Sequence, residues 1–280
     1  MFLFGEHAVV YGKPGIAMAI KPRVFVTVRQ TKRAQRAKSP YIDGCFEAMG
    51  VLGSVYINSQ LPSSSGLGSS AAVTVATLCA INDEFGKKKT REDIANMAFE
   101  IEKTVQKGRA SPTDTTVSAY GGIVFISNGE RRRLPPQNIQ LVIGDSLVSH
   151  STTKMVEHVS DLKKKNPTIV NPVLDAIEAV SLSAIHHLDN PKELGRYMNM
   201  NHALLEVLSV GHPQLSKMVL AARSAGAFGA KITGAGGGGC MIALCPKPLK
   251  FRIATAIEGC DARAVVTSID TEGARKEKNV

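Results

Sequence analysis

The residues best suited to chemistry form one run of hydroxyls and glycines, Ser63, Ser64, Ser65, Gly66, Leu67, Gly68, Ser69 and Ser70, continued by Ala71, Ala72 and Val73. It sits between a strand-like Val55-Tyr56-Ile57-Asn58 and an apolar stretch, 71–81, long enough for three turns of helix. Ser69 or Ser70 therefore opens a helix, whose first N–H groups have no intrahelical partners and whose summed peptide dipoles favour an anion. Gly66 and Gly68 allow close backbone approach and left-handed conformations, and the serine hydroxyls can donate to phosphate oxygens or ligate Mg²⁺. Phosphate binding follows. The run carries no Walker-type lysine, which excludes a P-loop. Ordinary loop and N-cap serines account for shorter runs than this one.

Two acids and two further motifs bear on the same chemistry. Glu102 lies near the end of a helix expected over 90–106, and Asp114 follows in Gly108-Arg109-Ala110-Ser111-Pro112-Thr113-Asp114, a turn-rich loop ahead of Val117. An aspartate there can be a plain N-cap. A carboxylate pair near a phosphate site is also what magnesium-assisted phosphoryl transfer requires, one acid for the metal and one to orient the acceptor hydroxyl. Glu6 and His7 stand between apolar segments, where a loop leaving a buried strand can present them to a hydroxyl or a metal-bound water, unless Gly-Glu-His is only a loop. The stretch Lys231-Ile232-Thr233-Gly234-Ala235-Gly236-Gly237-Gly238-Gly239-Cys240 formally satisfies G-x-G-x-x-G. A strand closed by Pro246 follows it rather than a helix, so the dinucleotide-binding context is absent, and what remains is a bare backbone that can approach a ligand closely.

The elements that must position these residues suit an α+β protein in two parts. With 280 residues, 44% hydrophobic and 21% charged, the chain is an ordinary globule of one large or two modest domains. A strand over 24–28, a basic hairpin or loop ending at Lys38, a helix over 41–49, the cradle with its helix, the helix over 90–106 and a strand over 123–126 after two glycines make the first part. Arg131-Arg132-Arg133-Leu134-Pro135-Pro136 reads as an exposed connection and places the boundary between 1–136 and 137–280. Beyond it come a strand over 139–143, helices over 152–165, 170–188, 192–209 and 214–225, the glycine stretch, a helix over 251–257, a strand over 264–269 and a frayed charged tail.

Composition narrows the partners. A net charge of +10 suits a polyanion such as a nucleotide, while the absence of Trp, 5% aromatic content and scattered basic clusters argue against base stacking on a nucleic acid. Five cysteines without a C-x-x-C fit reduced thiols in a cytoplasm, and the His186-His187 pair, with no acid or cysteine at helical spacing, suits the surface end of a helix better than a metal site. No run is expected to span a bilayer, and Gly5, Glu6 and His7 interrupt the first apolar residues too early for a signal peptide.

In combination, Phe4-Gly5-Glu6-His7-Ala8-Val9-Val10-Tyr11-Gly12, the serine-glycine run over 64–71 and the glycine stretch over 231–240 resemble the GHMP kinase superfamily, in the family order. The first motif is similar to that of the mevalonate kinases; galactokinases tend to continue Gly-Glu-His with Thr-Asp-Tyr, and homoserine kinases generally lack it. The resemblance implies an N-terminal domain like ribosomal S5 domain 2, a ferredoxin-like C-terminal α/β domain and ATP between them. It implies that 63–73 cradles the triphosphate, that Ser70 (less surely Ser69) and Glu102 hold Mg²⁺, and that Asp114 is the catalytic base toward the C5 hydroxyl of mevalonate. Glu6 and His7, with Thr233, Gly234 and Ala235, would shape the substrate side, and the glycine loop would close over the reacting phosphate. The implied partners are mevalonate and ATP, with no nucleic acid and no membrane, and a homodimer is allowed.

Two departures accompany the resemblance. The family's Pro-Gly-Lys precedes its first motif and brings a lysine close to the catalytic aspartate; here that lysine either lies ahead of the residues given or is missing from the pair, and Lys13, which follows the motif, does not replace it. The spacing from Glu6 to Ser63 is also shorter than the family's. Two alternatives stay open: another GHMP kinase acting on phosphomevalonate, and an inactive module that binds nucleotide or RNA.

Overall fold

The computed structural model describes residues 1–32, 39–60, 67–108, 110–127, 130–135 and 137–277; there the β-rich runs form three antiparallel sheets with helices packed on them. The first part contains β1 (Phe2–Phe4), β2 (Gly15–Met18), β3 (Val24–Gln30), α1 (Pro40–Met49), β4 (Gly53–Ser59), α2 (Ser69–Glu84), α3 (Arg91–Val105), α4 (Pro112–Tyr120), β5 (Ile123–Ser127) and β6 (Glu130–Leu134). One sheet runs β1-β2-β5-β6, and β3 pairs with β4 from Val24 opposite Ser59 to Gln30 opposite Gly53. The apolar helix α2 lies against β3, α1, α3 and α4, and its Val75, Leu78 and Ile81 are fully buried with Phe46 and Ile94. At the start of α3, Thr90 and Asp93 form a reciprocal capping box, which fixes where the helix begins and hence where Glu102 falls three turns later.

The second part holds β7 (Gln140–Asp145), α5 (Thr152–Lys165), α6 (Pro167–Ile185), α7 (Pro191–Val207), α8 (Pro213–Ser224), β8 (Gly229–Ile232), β9 (Cys240–Leu244), α9 (Lys250–Glu258) and β10 (Arg263–Ser268). Its sheet runs β10-β7-β9-β8. Every residue of β8 and β9 is buried, so the glycine turn between them hangs from a rigid hairpin. After β10 the chain returns across the first part. Ile20 bridges Ile269, Gly122 donates to Asp270 O at 2.7 Å, and Ala274 donates to Ala119 O at 3.2 Å. This strap secures the end of α4 opposite to Asp114.

Four expectations change. Asp114 belongs to the first turn of α4 rather than to a loop, because Ser111 caps the helix and Pro112 occupies its first position, where a missing N–H costs nothing. The triple arginine is strand β6, paired with β5 from Leu134 opposite Ile123, and its charges suit the edge of a sheet. The tail is tied down as far as the described residues run: Arg275 meets Asp270, Glu272 and Glu277, and Lys276 lies 2.7 Å from Asp83. Finally, α6 is long and apolar enough to cross a membrane, with 19 residues and a mean hydropathy of 1.4. In this fold it is a core helix that buries Val170, Leu174, Ile177, Val180 and Ala184. The basic segment 33–38 lies outside the described residues.

Candidate active site

The start of α2 and the start of α4 meet. Gly68 is the N-cap of α2 at φ 76°, a left-handed conformation, and with no side chain it leaves the first turn uncapped. A Cβ built there would lie 3.1 Å from Cγ and 3.2 Å from Oδ1 of Asp114, so a side chain here is strained in the backbone and crowds the carboxylate. Asp114 is the third residue of α4, following Ser111, whose hydroxyl accepts from Thr113 N at 3.2 Å. The positive ends of two helices thus converge on one partly exposed carboxylate, and the same uncapped N–H groups are the natural contact for an anion. The backbone nitrogen of Met1 is 3.4 Å from Asp114 Oδ1, so the aspartate sits beside the entrance to β1.

At the second residue of α2, Ser70 donates to Glu102 Oε1 at 2.6 Å. Glu102 is 3% exposed, and burial pushes its carboxyl up to about 7; the Ser70 hydrogen bond opposes the shift and the charge of Asp114 adds to it. Tyr41, from α1, hydrogen bonds to Ser70 and Gln106, and burial, assisted by Glu102, raises its phenol. Among the described residues no group of three or more His, Cys, Asp or Glu side chains forms a cage for a metal. The donors present are a hydroxyl and a carboxylate that the protein alone leaves half protonated near neutrality. They fit a Mg²⁺ that takes its remaining ligands from water and phosphate oxygens.

The glycine turn approaches from the second part. Gly234, Gly236, Gly237, Gly238 and Gly239 all have positive φ, and a Cβ would come within 2.1 Å of Val210 O at Gly236 and 2.6 Å of Val148 O at Gly238. Thr233 at its start donates to Phe2 O at 2.8 Å. Because Phe2 follows the residue that touches Asp114, the turn and the aspartate flank the same end of β1.

Glu6 and His7 are buried, 2% and 5% exposed, and both face the glycine stretch. The Glu6 carboxylate meets the Lys231 ammonium and accepts from Asn201 Nδ2 at 2.9 Å. His7 Nε2 lies 2.9 Å from Ala235 O, which can only accept, so Nε2 carries the proton. Burial lowers the His7 pKa and keeps the ring neutral, with the Ala235 contact opposing. Leu67 and Ala71 are core residues, Ala72 and Val73 are half-buried, and Ser69 opens α2. Ser63, Ser64, Ser65 and Gly66 lie outside the described residues. Tyr41, Asn201 and the pairing of Lys231 with Glu6 are not singled out from the sequence. Lys231 stands inside the third motif, and a lysine in an otherwise apolar strand was the available signal.

Comparison with known proteins gives the family. A family model described as the GHMP kinases N terminal domain matches residues 33–122, and one described as GHMP kinases C terminal matches 181–259. The mevalonate kinase of Pyrococcus furiosus is 38% identical, over 99% of this chain and 96% of its own length. The chain belongs to the GHMP kinase family. A second relative of this GHMP kinase, the mevalonate kinase of Methanothermobacter thermautotrophicus, is 38% identical over 87% of each chain. The alignment with the Pyrococcus enzyme runs over 323 positions against 280 residues here, so that relative carries residues this GHMP kinase lacks. Among solved structures, Methanococcus jannaschii mevalonate kinase superposes with a TM-score of 0.84 at 27% identity, covering 96% of this chain and 95% of that one. Mevalonate kinase of L. major, in complex with R-mevalonate, gives 0.84 at 24% identity over 98% and 94%, a likeness of fold.

Proposed function

We propose that this chain transfers the terminal phosphoryl group of ATP to the C5 hydroxyl of (R)-mevalonate, giving 5-phosphomevalonate and ADP. The observation that carries the proposal is the contact between Gly68, at the uncapped start of α2, and the carboxylate of Asp114: a phosphate site and a proton acceptor share one place. Relatives named mevalonate kinase over nearly their whole length support mevalonate as the acceptor.

In this reading the triphosphate lies along 63–73, its terminal phosphate against the N–H groups of α2. Ser70 and Glu102 would hold a Mg²⁺, which would neutralise charge on the phosphates. Asp114 accepts a hydrogen bond from the C5 hydroxyl and points its oxygen at the γ-phosphorus. As the new P–O bond forms and the bond to the β-phosphate oxygen breaks, the hydroxyl proton passes to the Asp114 carboxylate and ADP leaves. Such a transition state needs position and positive charge more than a strong base. Glu6 and His7 act through the glycine stretch, whose Thr233, Gly234 and Ala235 border the acceptor. The two parts, 1–136 and 137–280, supply the nucleotide side and the turn that covers it. Free cysteines, four of them buried, suit a cytoplasmic enzyme.

The test is ADP release coupled to NADH oxidation with mevalonate, phosphomevalonate, homoserine and galactose offered in turn. Turnover with mevalonate at a kcat/KM at least about tenfold above the other three is the expected result. A preference for another acceptor would replace the substrate and keep the kinase, whereas ATP binding without turnover on any of them would overturn the proposal.

A further inference from the structure

A buried charge pair outside the reacting groups joins two of the motifs. Lys231 on β8 is fully buried; its ammonium meets Glu6 and donates to Ile232 O at 2.6 Å. Asn201, on α7 and also fully buried, donates to the second Glu6 oxygen at 2.9 Å. Beside this pair, His7 donates to Ala235 O and Thr233 donates to Phe2 O. Residues 2, 6 and 7 are therefore stitched to 233, 231 and 235, which fixes how far the loop after β1 stands from the start of the glycine turn.

A buried ion pair of this kind adds little stability over apolar residues of equal volume, because desolvating two charges cancels most of their attraction. Its geometric consequence is larger. The glycines beyond Ala235 have no side chains with which to hold their own register; on the other side they pack against Met155, Val148 and Val210, with Gly237 donating to Val210 O at 2.8 Å and Gly239 to Val148 O at 2.9 Å. The stitched segment 2–7 also begins next to Asp114. We propose that Lys231, held by Glu6 and Asn201, is a positioning residue that sets the register of the glycine turn against the entrance of β1, and so against Asp114. The activity arm of its test rests on the kinase proposal above; the exchange arm does not.

The test compares the full chain with a Glu6→Gln/Lys231→Met double variant, which removes both charges at similar volume, and with Asn201→Ala. Thermal midpoint, kcat, KM for mevalonate and amide exchange across 233–239 are measured on each. The double variant is expected to melt within about 5 °C of the parent. Its kcat should nevertheless fall about tenfold or more with KM changed less than about threefold, as for a misplaced catalytic element. Amides of the turn should exchange about tenfold faster while those of β9 keep the parental rate. Parental kcat together with parental exchange would overturn the assignment. Should the double variant not fold, Asn201→Ala decides, since it leaves both charges in place: faster turn exchange at a parental melting point supports the role, and parental exchange overturns it. If the parent turns over none of the acceptors, the kinase proposal fails while the exchange measurement still decides the register.

Discussion

Replacing Glu102 by Gln should change how stability depends on pH, and the structure sets the size and sign. The carboxyl is 3% exposed and titrates at about 7 in the fold against 4.5 as its ordinary value. Between those values the unfolded chain has released the proton and the folded protein still holds it, so the folded state binds more protons and stability falls as pH rises through this window. At about 1.4 kcal/mol per pH unit, the loss approaches about 3 kcal/mol by pH 8. Glutamine keeps the shape and can still accept from Ser70, yet cannot ionise. Urea unfolding of metal-free parent and variant at pH 5, 6, 7 and 8 isolates the effect, because every other titrating group contributes to both proteins. The stability of the parent minus that of Glu102→Gln should fall by about 1 kcal/mol per pH unit from pH 5 to 7 and level off toward pH 8. Adding Mg²⁺ with ATP should restore the parent most at high pH, where the ionised ligand is present. A difference constant to within about 0.5 kcal/mol would refute the argument that burial and Asp114 hold this carboxyl protonated.

The sequence revealed the site in pieces, and the pieces it revealed were local ones. The helix start at Ser69 followed from hydroxyls and glycines ahead of an apolar run, and α5 occupies the residues its pattern gave, 152–165. Helix α4 was hidden because Thr113, Thr115 and Thr116 are poor helix formers; the capping serine and the proline at the first position were the overriding signal. Strand β6 was hidden by its arginines, which read as a solvated connection until β5 supplies a partner for their backbone. The Glu6–Lys231 pair could not be read at all. It spans 225 residues: each partner's apolar surroundings mark it as unusual, but nothing local names the other until the loop after β1 and the end of β8 are brought together. The resemblance implies Glu6 and His7 at the substrate side; in the fold they meet Lys231, Asn201 and Ala235.

Three further outcomes follow from the same geometry. Asp114→Asn keeps the volume that Gly68 packs against but cannot take the hydroxyl proton, so kcat should drop by about 10²–10⁴ while the ATP dissociation constant, measured by calorimetry, moves less than about threefold. Thr90→Ala removes the hydroxyl that accepts from Asp93 N–H in the capping box at the start of α3 and keeps the backbone N–H that donates to the Asp93 carboxylate, which should cost about 1 kcal/mol in urea unfolding with little change in kcat, since the box lies three turns from Glu102. Gly68→Ala separates strain from chemistry. A left-handed alanine alone costs about 1–2 kcal/mol, which the unfolding curve will read directly. Its Cβ would stand 3.1 Å from Asp114 Cγ, so the carboxylate must shift by a few tenths of an ångström, and a misplacement of about 1 Å at a reacting group costs about 10²-fold in rate, which sets the upper bound on the loss. Loss of kcat well beyond what the fraction unfolded explains is therefore the expected result. Full activity in a measurably destabilised Gly68→Ala protein would mean that the aspartate can move away from α2 without consequence, and the shared pocket on which the kinase proposal stands would be refuted.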